Sequence, residues 1–163
     1  GTCHAPTLPC RMMKLLVGAM LIFSLSCSER EQQGHVVKVI DGDTFEMKSG
    51  NEKFRVRLFG IDSPERGQAF NVKAKEFTAS LIADREVTVI IRNKDRYGRF
   101  VGDVYSDDGI HVNSEIVKAG YAWHFTRYSN NPELARLEQE AQDGRRGLWR
   151  DDHPMPPWEF RRR

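Results

Sequence analysis

From His35 onward the chain is written in short β-branched runs separated by turn residues, and that rhythm predicts the elements. Residues 35–40 (HVVKVI) read as a strand ending at Asp41-Gly42-Asp43. Residues 44–47 return as its partner before a second turn at Ser49-Gly50-Asn51. Residues 53–61 (KFRVRLFGI) alternate, with Phe54, Val56 and Leu58 on one face and Arg55, Arg57 and Phe59 on the other. Residues 71–83 place Val72, Ala74, Phe77 and Leu81 near helical spacing, and 86–92 (EVTVIIR) turn back to a β-rich run. A further strand over 100–105 follows the Tyr97-Gly98 turn. Residues 111–120 and 132–144 read as helices, each ending at a glycine suited to a left-handed cap. Five short strands with one helix inserted and two following predict an α+β, predominantly β domain, a small Greek-key barrel rather than a parallel sheet.

Composition sharpens this picture mainly through where the charges lie. The chain has 163 residues, enough for one domain with a substantial core, and a formal net charge of +2. Residues 1–27 contain Arg11 and Lys14 and no acid, so the remainder balances at 23 basic and 23 acidic residues. All three cysteines, Cys3, Cys10 and Cys27, also fall in that leader. The body therefore offers no disulfide, no thiolate metal site and no cysteine nucleophile. Within the leader, residues 12–27 (MMKLLVGAMLIFSLSC) join a basic start, a short apolar run and small residues before Cys27, as in an export signal. Residues 1–11 read as an upstream remnant. The terminal cysteine also resembles the lipid-attachment site of bacterial lipoproteins, although Ser24 stands where such sites usually carry Leu. Secretion, periplasmic residence and membrane anchoring through lipid on Cys27 all fit. Residues 28–34 (SEREQQG) are expected to form a polar tether, 35–150 the domain, and 151–163 a Pro, Trp and Arg-rich tail.

Three segments could carry chemistry. Asp41-Gly42-Asp43-Thr44 brackets a glycine with two carboxylates, and fits equally a plain hairpin turn. It is not an EF-hand, because Phe45 stands at the fifth position and Glu46 replaces the glycine at the sixth, although Glu52 falls at the twelfth. Residues 57–65 (RLFGIDSPE) bring Arg57, Asp62, Ser63 and Glu65 to one strand end, with Pro64 stiffening the turn. Residues 92–99 (RNKDRYGR) interleave four cations with Tyr97; a solvated hairpin would look the same. Carboxylates on two strand ends can hold a hard divalent cation, and guanidinium groups bind phosphate oxygens bidentately. Together they suit attack of water on a phosphodiester, where negative charge grows on the equatorial oxygens. The five histidines show no metal-ligand spacing.

VVKVIDGDTFEM, RLFGIDSPERG, DRYGRFVGDVY and DGRRGLW resemble, in order and spacing, the staphylococcal nuclease or thermonuclease family, over about residues 35–150. The resemblance implies an OB-fold barrel with about three helices and a calcium-dependent phosphodiesterase. Such enzymes cleave DNA and RNA and leave 3′-phosphate ends. By the same resemblance Asp43 and Asp62 are calcium ligands, with the Ser63 carbonyl beside them and Asp41 behind. Glu65 orients the attacking water or accepts its proton. Arg57 binds the phosphate, and Arg99 serves the oxyanion or leaving-group side. Arg96, Tyr97 and Tyr128 fall where relatives contact the nucleotide, and the tail is expected to pack on the barrel.

A neutral domain needs a local cationic face to hold nucleic acid, and Arg55, Arg57, Arg92, Lys94, Arg96 and Arg99 are its candidates. Single-stranded or flexible DNA and RNA are the expected partners of a monomer, with no protein partner implied. Two other readings remain open: a nucleic-acid-binding OB module without catalysis, and a surface lipoprotein whose acidic turn binds calcium for stability.

Overall fold

The computed structural model of the protein describes Gly1 and residues 30–163; the expected export signal, the upstream remnant and Cys27 lie outside the described residues. Strands β1 (Arg30–Asp41), β2 (Thr44–Ser49), β3 (Glu52–Leu58), β5 (Glu86–Lys94) and β6 (Phe100–Ser106) close a barrel in the order β1-β2-β3-β6-β5. All neighbours are antiparallel except β3 and β6, which run parallel from Val56 opposite Phe100. A short pair, β4 (Ile61–Asp62) with β7 (Trp123–His124), lies outside the barrel.

The period-2 reading holds along β3, and β2 alternates in the same way. Phe45, Met47, Val56 and Leu58 are fully buried, and Val36, Val87, Val89 and Val104 complete the barrel interior. Helix α1 (Asn71–Ile82) lays Ala74, Thr78 and Ile82 on that core. Helix α3 (Pro132–Asp143) starts at Asn131, whose side chain accepts the Glu133 amide at 2.9 Å with Pro132 behind it, and it buries Leu134, Leu137 and Ala141. Helix α2 (Val112–Lys118) is tied to the barrel by buried Asn113. Its Oδ1 accepts the Val104 amide at 3.0 Å, and its Nδ2 donates to the Phe59 carbonyl at 2.9 Å and to that of Gly102 at 3.3 Å.

Three expectations need correction. The polar tether is strand from Arg30: residues Arg30–Gly34 pair with Ile91–Val87 of β5, because closing the barrel satisfies backbone groups whatever the side chains. Gly120 takes the expected left-handed conformation at φ 77°, but Gly144 stays right-handed at φ −80° and Arg145 takes the positive φ of 46°. The C-terminal tail folds back as expected, but onto the β4–β7 pair and the segment after it, which lie outside the barrel. Helix α4 (Pro157–Phe160) stacks Trp158 on Phe125 with ring centroids 5.2 Å apart, and Trp123 meets Trp149 edge-on at 4.3 Å.

Asn113→Ala would leave the Val104 amide and the Phe59 carbonyl without their partner, while the Gly102 carbonyl keeps the Phe59 amide. The expected loss is on the order of 3 kcal/mol, read from urea unfolding at neutral pH.

Candidate functional site

Two turns build the site, and their sequences explain why they meet. The β1–β2 hairpin places Gly42 and Asp43 in its loop, with Asp41 opposite Thr44. A Cβ on Gly42 would stand 2.8 Å from the Ser63 side chain and 2.9 Å from that of Ala74, so only glycine lets this turn press against both the β4 segment and α1. Thr78 on α1 donates its hydroxyl to the Gly42 carbonyl at 2.7 Å. The amide of Ser63 donates to Asp43 Oδ2 at 2.7 Å, and the Thr44 hydroxyl donates to Asp43 Oδ1 at 3.0 Å.

Arg57, from the outward face of β3, lies between the two turns. Its guanidinium pairs with Asp43 and, at 2.8 Å, with Asp62, and all three side chains are buried or nearly so. Arg161 from the tail approaches from the other side. Its Nη2 donates to Asp62 Oδ2 at 2.7 Å, and its Nη1 donates to Asp62 Oδ1 at 3.3 Å and to Glu65. Glu65 is held in place by Gln68, whose side-chain oxygen accepts the Glu65 amide at 2.9 Å while its Nε2 donates to the Met155 carbonyl at 2.6 Å. Asp43, Asp62 and Glu65 are thus gathered around two arginines. Among the described residues no group of three or more His, Cys, Asp or Glu side chains is arranged to hold a metal ion by itself.

Burial pushes the Asp43 carboxyl up, but Arg57 and the Ser63 amide outweigh it and hold the group below its ordinary value. For Asp62 burial wins over the pull of Arg161 and Arg57, and its pKa is raised. Asp41, half-buried next to the Asp43 charge, is raised to about 7 by the loss of solvent and by that charge. The pair therefore keeps one proton, on Asp41, well above the usual carboxylate range.

The remaining predicted residues lie elsewhere. Arg99 precedes β6; its Nε donates to Asp95 at 2.7 Å, and it makes no ion pair with Asp43, Asp62 or Glu65. Tyr97 is exposed between Arg96 and Arg99, whose guanidinium groups lie 4.8 and 5.4 Å from its ring. Tyr128 is exposed on a different loop, with its ring 5.0 Å from that of Phe125. Of the cationic face, Arg92 pairs with Asp103 and Arg55 with Glu46, so part of its charge is balanced internally. Arg161 and Gln68 escaped the sequence reading. The run of arginines after Trp158 is the only signal for Arg161, and nothing local ties it to a residue 99 positions earlier.

Comparisons with known proteins bear on the family of the chain. Residues 55–151 match the family model described as staphylococcal nuclease homologue. A protein of Escherichia coli O157:H7 named "Uncharacterized endonuclease" is 41% identical over 152 residues, covering 93% of this chain and 99% of that protein. One of the same name from Haemophilus influenzae is 38% identical over 151 residues, covering 91% and 84%. "Probable staphylococcal-like nuclease CAN1" of Oryza sativa subsp. japonica is 45% identical over 111 residues, 68% of this chain and 33% of the rice protein.

The protonated Asp41 sets a pH dependence of stability. Its ordinary value of 3.8 applies to the unfolded chain, so between about pH 4 and 7 the folded state holds a proton that the unfolded state has lost. Stability from this group therefore falls as pH rises through that window, by on the order of 4 kcal/mol. Asp41→Asn is expected to flatten that slope and to stabilise the calcium-free protein above pH 7, measured by urea unfolding at pH 5 and pH 8.

Proposed function

The chain belongs to the staphylococcal nuclease family and is a nuclease, and we propose that it uses calcium to hydrolyse phosphodiester bonds of DNA and RNA, leaving 3′-phosphate ends. The observation that carries this reading is the convergence of Asp43, Asp62 and Glu65, from two separate turns, on shared guanidinium groups. Such a set can hold a cation and a phosphate side by side.

The donor chemistry fits calcium. Asp43 and Asp62 provide hard carboxylate oxygens, and the Ser63 carbonyl would be the main-chain ligand beside them. Calcium needs more oxygens than these, and water supplies the rest. Arg161 must first leave Asp62 and Glu65. Bound there, calcium would supply positive charge next to the scissile phosphate.

The protein's own residues do the remaining work. Arg57 keeps part of its five-donor fork on the acids and presents the rest to a phosphate oxygen. Glu65, released from Arg161, orients the attacking water and takes its proton as the oxygen bonds to phosphorus. The bond from phosphorus to the 5′ oxygen then breaks, and that oxygen gains a proton. Arg99 turns from Asp95 to meet charge on the oxyanion or the leaving oxygen. Arg96, Tyr97 and Tyr128 supply cation and ring surface to the nucleotide.

We further propose that residues 12–27 direct export, to the secreted or periplasmic space or to a lipid anchor on Cys27. A mature N-terminus at a lipid-modified Cys27 supports anchoring, and an unmodified N-terminus beyond Cys27 supports plain secretion.

Cleavage of single-stranded DNA with calcium tests the reading. Glu65→Gln is expected to lower kcat by roughly a hundredfold or more. Arg57→Lys keeps the charge but loses the fork, and a fall on the order of a hundredfold is expected. Chelating calcium should stop wild-type turnover. Full activity in Glu65→Gln would contradict the mechanism, and a wild type that binds strands without cutting them would favour the binding-module reading.

A further inference from the structure

The outward face of β3 continues beyond Arg57 as a line of cations. Arg57, Arg55 and Lys53 occupy alternate positions and so point the same way. They follow one another at about 6.7 Å per step, close to the spacing of consecutive phosphates in an extended single strand. At the far end Lys53 stands directly opposite Lys48 of β2. Both side chains belong to exposed residues, and neither has an acidic partner among the described residues. Like charges facing each other across a strand pair destabilise the sheet, so this pair is a cost to the fold without an internal offset. Arg55, by contrast, is balanced by Glu46 at 3.0 Å.

The same end of the barrel opens into a groove of about 410 Å³ lined by Lys53, Phe54, Arg55, Lys94 and Phe100, with Glu52 as its one acid. The Phe54 and Phe100 rings lie 5.2 Å apart, and the Lys94 ammonium sits 5.5 Å from the Phe100 ring. Arg99 directly precedes Phe100, the lining residue that pairs with Val56 of β3. Cations beside partly open aromatic rings are the ordinary means of holding a single strand without regard to sequence.

We infer that Lys48, Lys53 and the Phe54–Phe100 groove form an extended subsite for a single-stranded polynucleotide, holding the nucleotides that lead away from the phosphate at Arg57. The inference rests on the nucleic-acid substrate proposed above and adds the path of the strand. It predicts that affinity grows with oligonucleotide length, and that this growth depends on two lysines outside the reacting site.

The test uses the full chain in EDTA, so that binding is read without cleavage, by fluorescence anisotropy with a thymidine dinucleotide and octanucleotide from 50 to 200 mM salt. Lys48→Ala combined with Lys53→Ala should lower octanucleotide affinity on the order of tenfold at the lowest salt. It should also reduce the slope of log affinity against log salt by about 1.4, two phosphate contacts' worth for a single strand. The gain from dinucleotide to octanucleotide should shrink accordingly. Removing a repelling pair should leave the urea midpoint equal to or above the wild type's. The control removes two cations elsewhere, Lys75→Ala with Lys118→Ala. An unchanged slope in the β2–β3 variant overturns the subsite, and so does an equal change in the control, which would mark a net-charge effect. Failure of calcium-dependent cleavage by wild type, with length-dependent binding intact, would instead count against the nuclease mechanism and leave the subsite standing.

Discussion

The structure depends on one buried cation. Arg57 reaches from the outer face of β3 to Asp43 on the β1–β2 turn and Asp62 on the β3–α1 connection, and its guanidinium is almost wholly removed from solvent. A charge in that position is tolerated only because two carboxylates meet it, and each carboxylate is in turn tolerated because of it. Removing a single partner from such a buried set typically costs about 3–5 kcal/mol, since the others are left uncompensated. The practical result is geometric: two turns that are separate in sequence are locked to a common point, and Asp43 and Asp62 are held together.

The tail extends that logic. Trp158, stacked on Phe125 and edge-on to Trp123, fixes helix α4, and Gln68 links the Glu65 turn to Met155 just ahead of it. Arg161 is thereby delivered to Asp62 and Glu65. Hydrogen bonding to Asp62, and then to Glu65, raises the guanidinium's already high pKa, so this cation stays charged at every physiological pH. The acids that the proposed mechanism assigns to calcium and to water are therefore held by a cation of the chain itself. Under that proposal calcium would have to compete with Arg161, and the same exchange would release Glu65.

Much of this was legible in the sequence, for physical reasons that also mark where legibility stops. Alternation along β3 put Val56 and Leu58 on one face and Arg57 on the other, and the structure buries the first two and turns Arg57 outward, as period-2 geometry requires. Four motifs in order located both acidic turns. The polar run Arg30–Gly34 was hidden, because that part of β1 is held by backbone bonds to β5 and carries no hydrophobic signature. Arg145, not Gly144, takes the left-handed position after α3, a local choice that residue preference alone does not decide. Arg161 was visible only as charge in a tail, and its partners come from tertiary packing. Arg99 matched its motif, yet its side chain bonds locally to Asp95, four residues away, where a short contact outcompetes a long reach.

The competition at Asp62 is the claim most open to direct measurement. Calcium should be titrated calorimetrically into the full-length wild type and into Arg161→Ala, in the absence of nucleic acid. Losing the charge-assisted bonds that hold Asp62 and Glu65 should tighten calcium binding by about tenfold, the equivalent of roughly 1.4 kcal/mol. Equal or weaker binding in Arg161→Ala would contradict the account, because it would mean that the tail arginine does not occupy the position calcium takes.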